Sequence, residues 1–269
     1  MSTEAEFNYF DTTSQPAGTV KPWTKVDAGG ASFGHRRVSR TVHDLRKESP
    51  SEFNTDVSGF GLQHWPAGEK DFVDDEAVRG AYYDDVEAVL RANCDALASN
   101  AGAGKDGANN KVHKVVIFDH TIRRRVPGAP RGPVQQVHVD QTPAAVVVRL
   151  INVWRPISHA ASDHPLAVID WRTTAPEDFV PVDLLYPKRA DSVMDDDDRG
   201  KEQRPSETNT KDSTEGYEAR GETMAVRRAG GKRGLAMRTP HTAFVDPATP
   251  KDAKPRESIE VRALVFYEE

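Results

Sequence analysis

The hydrophobic positions of this chain predict one helix followed by several short strands. From Asp74 to Leu97 the apolar residues recur at spacings of three and four behind an acidic first turn, as in an amphipathic helix. After residue 111 the pattern changes to short β-branched runs separated by Pro and Gly, which is typical of strands. The runs are Val112–Phe118, Val134–Val139, Ala144–Val153, Leu166–Ile169 and Ile259–Phe266. We therefore expect a mainly β fold with a flanking helix, arranged as a β-sandwich or jelly-roll barrel.

Two stretches lack the pattern of a packed core. Residues 1–70 are rich in Gly, Pro, Ser and Asp with only short apolar runs, which predicts an irregular N-terminal arm over a domain formed by residues 71–269. Residues 189–220 are charged and nearly free of large apolar side chains. Because such a composition buries too little apolar surface to fold, it predicts a disordered insertion.

Composition narrows the class of protein. A chain of 269 residues with 37% hydrophobic content supports a real core. The net charge is −6 with acidic and basic residues interspersed, so no surface for nucleic acid or an anionic membrane is expected. The one cysteine, Cys94, excludes an internal disulfide, a thiolate zinc site and an iron–sulfur cluster. With no signal peptide and no apolar run of about 20 residues, we expect a cytoplasmic protein.

The candidate chemistry begins at His138-Val139-Asp140. In an extended strand the side chains alternate, so His138 and Asp140 point to the same face and can both reach one ion. A histidine from elsewhere would complete a two-histidine, one-carboxylate face that leaves coordination positions open for a cosubstrate and O₂. The motif alone is weak, because nine histidines and 42 acidic residues in 269 positions supply about one such pair by chance.

An ordered set of residues near the C-terminus strengthens this hypothesis. His241 lies in the segment PHTAF, and Arg256, Ser258 and Arg262 follow it on or beside a predicted strand. 2-Oxoglutarate chelates iron through its 1-carboxylate and 2-oxo group, so its 5-carboxylate needs a fixed cation away from the metal. An arginine offers a two-pronged donor to that carboxylate. Either arginine fits this role, and Arg256 is preferred because Ser258 shares its face.

Two further groups carry alternatives. His120 and the run Arg123–Arg125 either line the mouth of the barrel and hold an acidic substrate or form a solvated charge cluster, and the sequence favours neither. His159, Asp163 and His164 have the residue types of a metal site, but the small residues and the proline around them favour an exposed loop.

Six blocks of sequence, taken in order, resemble one known family. They are FDHTIRRR, RGPVQQVHVDQT, INVWRPI, HPLAVIDWRT, PHTAFVDP and RESIEVRALVFYE. The likeness covers most of residues 55–188 and 221–268. It points to the hydroxylase/desaturase family of AsaB type, which is related to a subunit of the cephalosporin 7α-methoxylase and to gibberellin-desaturase-like proteins.

This resemblance implies a double-stranded β-helix (jelly-roll) oxygenase of specialised metabolism that uses Fe(II), 2-oxoglutarate and O₂, with ascorbate as reductant in vitro. The metal ligands of the family fall on His138, Asp140 and His241. The arginine–serine pair that receives 2-oxoglutarate falls on Arg256 and Ser258. The expected reaction is the hydroxylation or desaturation of a small metabolite.

The block INVWRP resembles a strand that lines the pocket of the family. It makes Asn152 and Trp154 candidate substrate-binding residues, and Arg123 and Arg125 of the arginine run are two more. The chain departs from the family at two places, where a helical segment after the HxD strand and an aromatic strand before the distal histidine look shortened. These departures leave open a non-catalytic or partner-subunit relative, and a cupin-like protein with another metal and no 2-oxoglutarate is a third alternative. A homodimer is compatible with each of them.

Overall fold

The computed structural model describes residues 2–15, 21–26, 29–49, 52–100, 111–127, 132–140, 149–187, 217–226 and 238–267. Within these ranges the chain forms one long helix and eleven strands. The strands are β1 (Ser2–Phe10), β2 (Trp23–Lys25), β3 (His35–His43), β4 (Val112–Arg124), β5 (His138–Val139), β6 (Arg149–Pro156), β7 (Leu166–Val168), β8 (Phe179–Pro187), β9 (Tyr217–Val226), β10 (His241–Ala243) and β11 (Glu257–Tyr267). The prediction of a mainly β fold with a flanking helix is confirmed.

The predicted helix is present and is slightly longer than its apolar pattern. It begins at the N-cap Asp74, whose side chain accepts a hydrogen bond from the backbone N–H of Glu76. A short α1 (Asp75–Ala77) leads through a π-helical turn (Val78–Tyr82) into α2 (Tyr83–Asn100). Its buried stripe consists of Val78, Tyr82, Val86, Leu90 and Cys94. Cys94 is therefore a buried apolar residue, as its position on the stripe predicts.

The helix packs on a three-stranded antiparallel sheet with the order β4-β11-β6. Alternate residues of β11 face the helix and are at most 1% exposed. They are Ile259, Val261, Ala263 and Val265. This contact forms the larger of the two main apolar cores.

A β-bulge at Phe118 reverses the facing of β4. Ile117 pairs with Ala263 and Asp119 pairs with Arg262, so Phe118 is left without a partner on β11. From Val115 to Ile117 the odd-numbered residues of β4 face the helix, and after the bulge the even-numbered ones do. The polar residues of β4 therefore join those of β11 and β6 on the side away from the helix. This polar face comprises Asp119, Thr121, Arg123, Asn152, Trp154, Ser258, Glu260 and Arg262.

A second sheet of six strands has the order β2-β8-β9-β5-β10-β7. All its neighbours are antiparallel except β2 and β8. Val137 and Val139 of the β5 segment are buried in a second apolar core with Phe7, Phe179 and Phe244. Because side chains alternate, His138 and Asp140 point to the opposite face, towards the polar face of the three-stranded sheet.

The N-terminal residues are more regular than the predicted irregular arm. β1 and β3 pair over nine residues each, and Phe7 lies in the second core. The prediction is therefore wrong for these segments, because alternate residues of AEFNYF bury one face of a strand against the core. Residues 52–74 do form an irregular segment, apart from isolated turns. The domain boundary at residue 70 stays a prediction.

Other expectations fall partly outside the described residues. The insertion predicted at 189–220 lies outside them up to residue 216, whereas its last four residues belong to β9. Residues 141–148, which include the start of the strand predicted at 144–153, also lie outside them. None of the helices in the described ranges has the length and apolar character needed to span a membrane.

Candidate metal centre

His138, Asp140 and His241 meet between the two sheets. β5 and β10 are antiparallel neighbours, and their pairing sets His138 directly opposite His241. The His138 Nε2 atom lies 3.8 Å from Asp140 Oδ1, and the His241 Nε2 atom lies 3.9 Å from Asp140 Oδ2. Two ligands that are each about 2.1 Å from one ion are at most about 4.2 Å apart, so both distances suit a shared metal. These three are the only such cluster among the described residues.

Backbone carbonyls orient both imidazole rings. His138 Nδ1 lies 2.7 Å from the carbonyl oxygen of Gln136, and His241 Nδ1 lies 3.0 Å from that of Thr239. A carbonyl oxygen only accepts, so each Nδ1 carries the hydrogen and each Nε2 offers a lone pair. In each histidine this Nε2 is the ring nitrogen that lies near Asp140. Metal-binding histidines commonly have such a second hydrogen bond.

The protonation states also suit a cation. Burial and the neighbouring His241 lower the pKa of His138 to about 4, so its imidazole is neutral at neutral pH. Burial alone would raise the pKa of Asp140, but His241, His138, Arg262 and Asn152 together lower it to about 2. The site therefore presents a neutral imidazole from His138 and one carboxylate, which are forms that bind a divalent metal.

Residues of the polar face of the three-stranded sheet contact the Asp140 carboxylate. Asn152 Nδ2 donates to Asp140 Oδ2 and lies 3.4 Å from Glu260 Oε1. Arg262 pairs with Glu260 at 2.6 Å and with Asp119 at 2.9 Å, while its Nε lies 4.0 Å from Asp140 Oδ2. With two carboxylates on its guanidinium, Arg262 is poorly placed to receive a cosubstrate. Its contacts are instead with the carboxylates beside the candidate centre.

Arg256 lies at the other end of the same face and is only 3% exposed. Its Nε donates to Ser258 Oγ at 3.1 Å, and its Nη1 donates to the carbonyl oxygen of His164 at 2.8 Å. Its guanidinium lies over the Trp154 ring, 5.1 Å from the centroid. Burial, followed by the charge of Arg123, lowers the pKa of Arg256 to about 10. Among the described residues no carboxylate lies within ion-pair distance of it.

The four predicted substrate-binding residues have different surroundings. Asn152 contacts the metal-centre carboxylate, and Trp154 packs under Arg256. Arg123 lies directly opposite Ser258 on the neighbouring strand, and its charge lowers the pKa of both His138 and Arg256. Arg125 instead forms an ion pair with Asp163 at 3.0 Å. The contacts of Arg125 thus favour a role in holding the protein together.

Two alternatives from the sequence are corrected. Asp163 and His164 were expected in an exposed loop, yet their side chains are only 11% exposed, because Asp163 accepts hydrogen bonds from three residues. His120 neither lines the site nor is solvated. After the bulge it faces the helix, where its ring bonds to Tyr83 and lies 3.3 Å from Asp75.

A large cavity opens on Asp140 and His241. Asn152, Trp154 and Glu260 line it from the sheet, and residues 59–67 line it from the N-terminal arm. Asn152 Oδ1 and Trp154 Nε1 are buried and have no hydrogen-bond partner in the described structure. The arm was predicted only to cover the core, so its contribution to the cavity was missed. The signal in the sequence was the presence of the large apolar residues Leu62 and Trp65 in an otherwise irregular segment.

A mainly β protein in which two histidines and one carboxylate meet beside a cavity has the features of a non-haem iron oxygenase. A family model described as an oxidoreductase/YMDC permease-like domain matches residues 7–266. The chain is 31% identical to the Fe(II)/2-oxoglutarate-dependent dioxygenase nvfI of Aspergillus novofumigatus, over 88% of this chain and 86% of that protein. It is 26% identical to the hydroxylase/desaturase efuI of Hormonema carpetanum, over 91% and 92%.

The solved structures agree with the sequence matches. The iron and alpha-ketoglutarate-dependent endoperoxidase NvfI superposes with a TM-score of 0.66 at 26% identity, covering 100% of this chain and 99% of that one. The chain belongs to the fungal Fe(II)/2-oxoglutarate-dependent dioxygenases, which include the hydroxylase/desaturase proteins. It is therefore an oxidoreductase, and its predicted cofactors, Fe(II), 2-oxoglutarate and O₂, are those of its family.

Proposed function

We propose that His138, Asp140 and His241 hold Fe(II) in this chain and that the enzyme hydroxylates or desaturates a small specialised metabolite. The observation that carries the proposal is the meeting of two Nε2 lone pairs and one carboxylate, each held by a second hydrogen bond. The donor set of two nitrogens and one oxygen fits Fe(II) and leaves one side of the ion free. When bound, iron with 2-oxoglutarate and O₂ supplies the oxidising power.

The protein residues supply position. His138 and His241 are held by backbone carbonyls, and Asp140 is held by Asn152. Ligands held in this way need only small side-chain shifts when the cation binds. Arg262 compensates the charge of Asp140 and Glu260 without occupying the cavity.

We assign the 5-carboxylate of 2-oxoglutarate to Arg256 and Ser258. Arg256 is a buried guanidinium without a carboxylate partner among the described residues, and it shares the polar face with the groups around the metal. Burial lowers its pKa only to about 10, so it stays cationic at neutral pH. An anion that enters beside it gains a charge-assisted bidentate contact. Arg123, opposite Ser258, adds a second positive charge there.

The jelly-roll core is the finer fold that we propose. The polar face of the three-stranded sheet and strands β5 and β10 of the larger sheet lie on either side of the centre, as the two layers of such a barrel would. Substrate would enter through the cavity beside residues 59–67, where Phe60, Leu62 and Trp65 offer apolar contact. A cytoplasmic location and a homodimer remain predictions.

Two measurements test this function. Anaerobic addition of Fe(II) and 2-oxoglutarate should produce the weak visible charge-transfer band of the chelate. Aerobic incubation with ascorbate should then yield succinate, and a suitable metabolite should raise the yield. A band without succinate under any substrate would favour the non-catalytic relative. Absence of the band would contradict the proposed site and favour a centre without 2-oxoglutarate.

A further inference from the structure

We propose that Asp163, in the loop between β6 and β7, is a positioning residue that holds Arg256 ready for the 5-carboxylate of 2-oxoglutarate. The inference rests on the proposed function, in which Arg256 is the cosubstrate arginine. It gives a role to the Asp163 carboxylate. From the sequence, this residue was either a possible metal ligand or part of an exposed loop.

Asp163 contacts the main chain of Arg256 directly. Its Oδ2 atom accepts hydrogen bonds from the backbone N–H of Arg256 at 3.1 Å and from Arg125 Nη1 at 3.0 Å. On the other side of this residue, the carbonyl oxygen of Arg256 accepts from the backbone N–H of Arg125 at 2.9 Å. The peptide groups on both sides of the Arg256 Cα are therefore fixed before β11 begins.

The same carboxylate also acts on the guanidinium through its neighbour. Asp163 Oδ1 lies 2.7 Å from His164 Nδ1, and the His164 carbonyl oxygen accepts from Arg256 Nη1. His164 has a φ of 50°, a left-handed conformation that non-glycine residues rarely adopt. Such a conformation persists where surrounding contacts dictate it, and the Asp163 hydrogen bond is one of them.

This arrangement orders Arg256 without neutralising it. A guanidinium has five N–H donors, of which one goes to Ser258 Oγ and one to the His164 carbonyl. Three donors, including both on Nη2, have no partner in the described part of the chain. Asp163 directs its negative charge at a backbone N–H and at Arg125, so it does not compete with an incoming carboxylate for the side chain of Arg256.

The proposal predicts an effect on one end of the cosubstrate only. In Asp163→Asn the charge that holds the Arg256 backbone is lost, and we expect 2-oxoglutarate to bind about tenfold more weakly, which is about 1.4 kcal/mol. Oxalate also chelates iron but has no 5-carboxylate, so its affinity should stay within about twofold. The KM for 2-oxoglutarate should rise while kcat at saturating cosubstrate changes little.

The test uses the full-length Fe(II)-loaded protein under anaerobic conditions. 2-Oxoglutarate is titrated by its charge-transfer band and oxalate by competition, with the melting temperature measured in parallel. Asp170→Asn is the matched control, because Asp170 also bonds one backbone N–H and one arginine, both of Arg172. It should leave both affinities unchanged. If Asp163→Asn does not fold, Asp163→Glu is used in its place, because it keeps the negative charge but shifts the carboxylate. It should also weaken the binding of 2-oxoglutarate and leave that of oxalate unchanged.

Arg256→Ala separates the two proposals. If it binds 2-oxoglutarate as wild type does, the assignment of the cosubstrate to Arg256 fails. If Arg256→Ala loses affinity but the Asp163 variants keep wild-type affinity, the positioning role of Asp163 is overturned. Equal losses for oxalate and 2-oxoglutarate would also overturn it, since they would indicate general damage to the centre.

Discussion

The two faces of the β4-β11-β6 sheet are built from alternate residues of the same strands, yet their side chains make different kinds of contact. On the helix side Ile259, Val261 and their neighbours are at most 1% exposed and make non-directional apolar contacts. On the opposite side Ser258, Glu260 and Arg262 each bond to a named partner. The first face therefore supplies stability, and the second supplies geometry for the site.

The comparison shows how little separates the two roles. A shift of one residue in a strand exchanges its faces. In β4 the bulge at Phe118 makes this exchange within the strand, so that Val115 and Ile117 face the helix while Asp119 and Thr121 face the site. Each of the following changes tests whether stability and chemistry are divided in this way.

Deletion of Phe118 should have the largest effect. Without the extra residue, one half of β4 must present its side chains to the wrong face, which turns Asp119 and Thr121 towards the apolar core or moves Val115 out of it. We expect no cooperative unfolding transition and no succinate formation. Phe118→Ser is the control, because the side chain is 49% exposed. It should change the free energy of unfolding by no more than about 0.5 kcal/mol. A folded deletion variant would show that the bulge does not set the facing of β4.

Asp140→Ala should abolish activity while leaving a folded protein. It removes the one anionic member of the candidate metal centre, and Asp140 belongs to none of the apolar clusters. Succinate formation and the charge-transfer band should both fall below detection, whereas circular dichroism should retain its thermal transition. Asp44→Ala, at a short turn, should behave as wild type. Retained Fe(II) binding in Asp140→Ala would contradict the ligand assignment.

Ile259→Ala tests the apolar face. The side chain is fully buried against the helix, so its truncation should lower the free energy of unfolding by about 2–5 kcal/mol, measured by urea denaturation. Ile259→Val should cost only about 0.5–1.5 kcal/mol. At a temperature where both variants are folded, Fe(II) and 2-oxoglutarate should bind as in wild type. Weaker metal binding by folded Ile259→Ala would show that the two faces are coupled.

Asn152→Ala tests the polar face and should have the smallest effect of the four. Asn152 donates to the Asp140 carboxylate, and loss of such a partner typically lowers metal affinity about 10–100-fold. Mn(II) titration by electron paramagnetic resonance measures this loss. Asn93→Ala, whose side chain bonds only to the helix backbone, is the matched control. A wild-type Mn(II) affinity would show that Asn152 does not hold Asp140, and would return it to its predicted role as a substrate contact.

Much of the candidate site could be predicted from local sequence. His138 and Asp140 share a face because strand side chains alternate, and the buried Val137 and Val139 show that this periodicity operates. The Arg256–Ser258 hydrogen bond joins residues two apart at the start of β11, which the same rule predicts. The long helix followed from its spacing of three and four. These features depend on residues close together in the chain.

What only the tertiary structure decided depends on partners far apart. Strict alternation from Val115 and Ile117 would place Asp119 with them, and only pairing with β11 reveals the bulge that turns it to Arg262, 143 positions away. Asp163 contacts Arg256 across 93 positions, so its role could not be read from the loop around it. The sequence by itself determined the periodicities, the metal-ligand motif and the family. Strand register and long-range pairing decided that, among the residues that the structure describes, Arg262 is paired with carboxylates and the guanidinium of Arg256 is not. The reason is that an ion pair depends on which groups lie close together in space, and these groups are far apart in the chain.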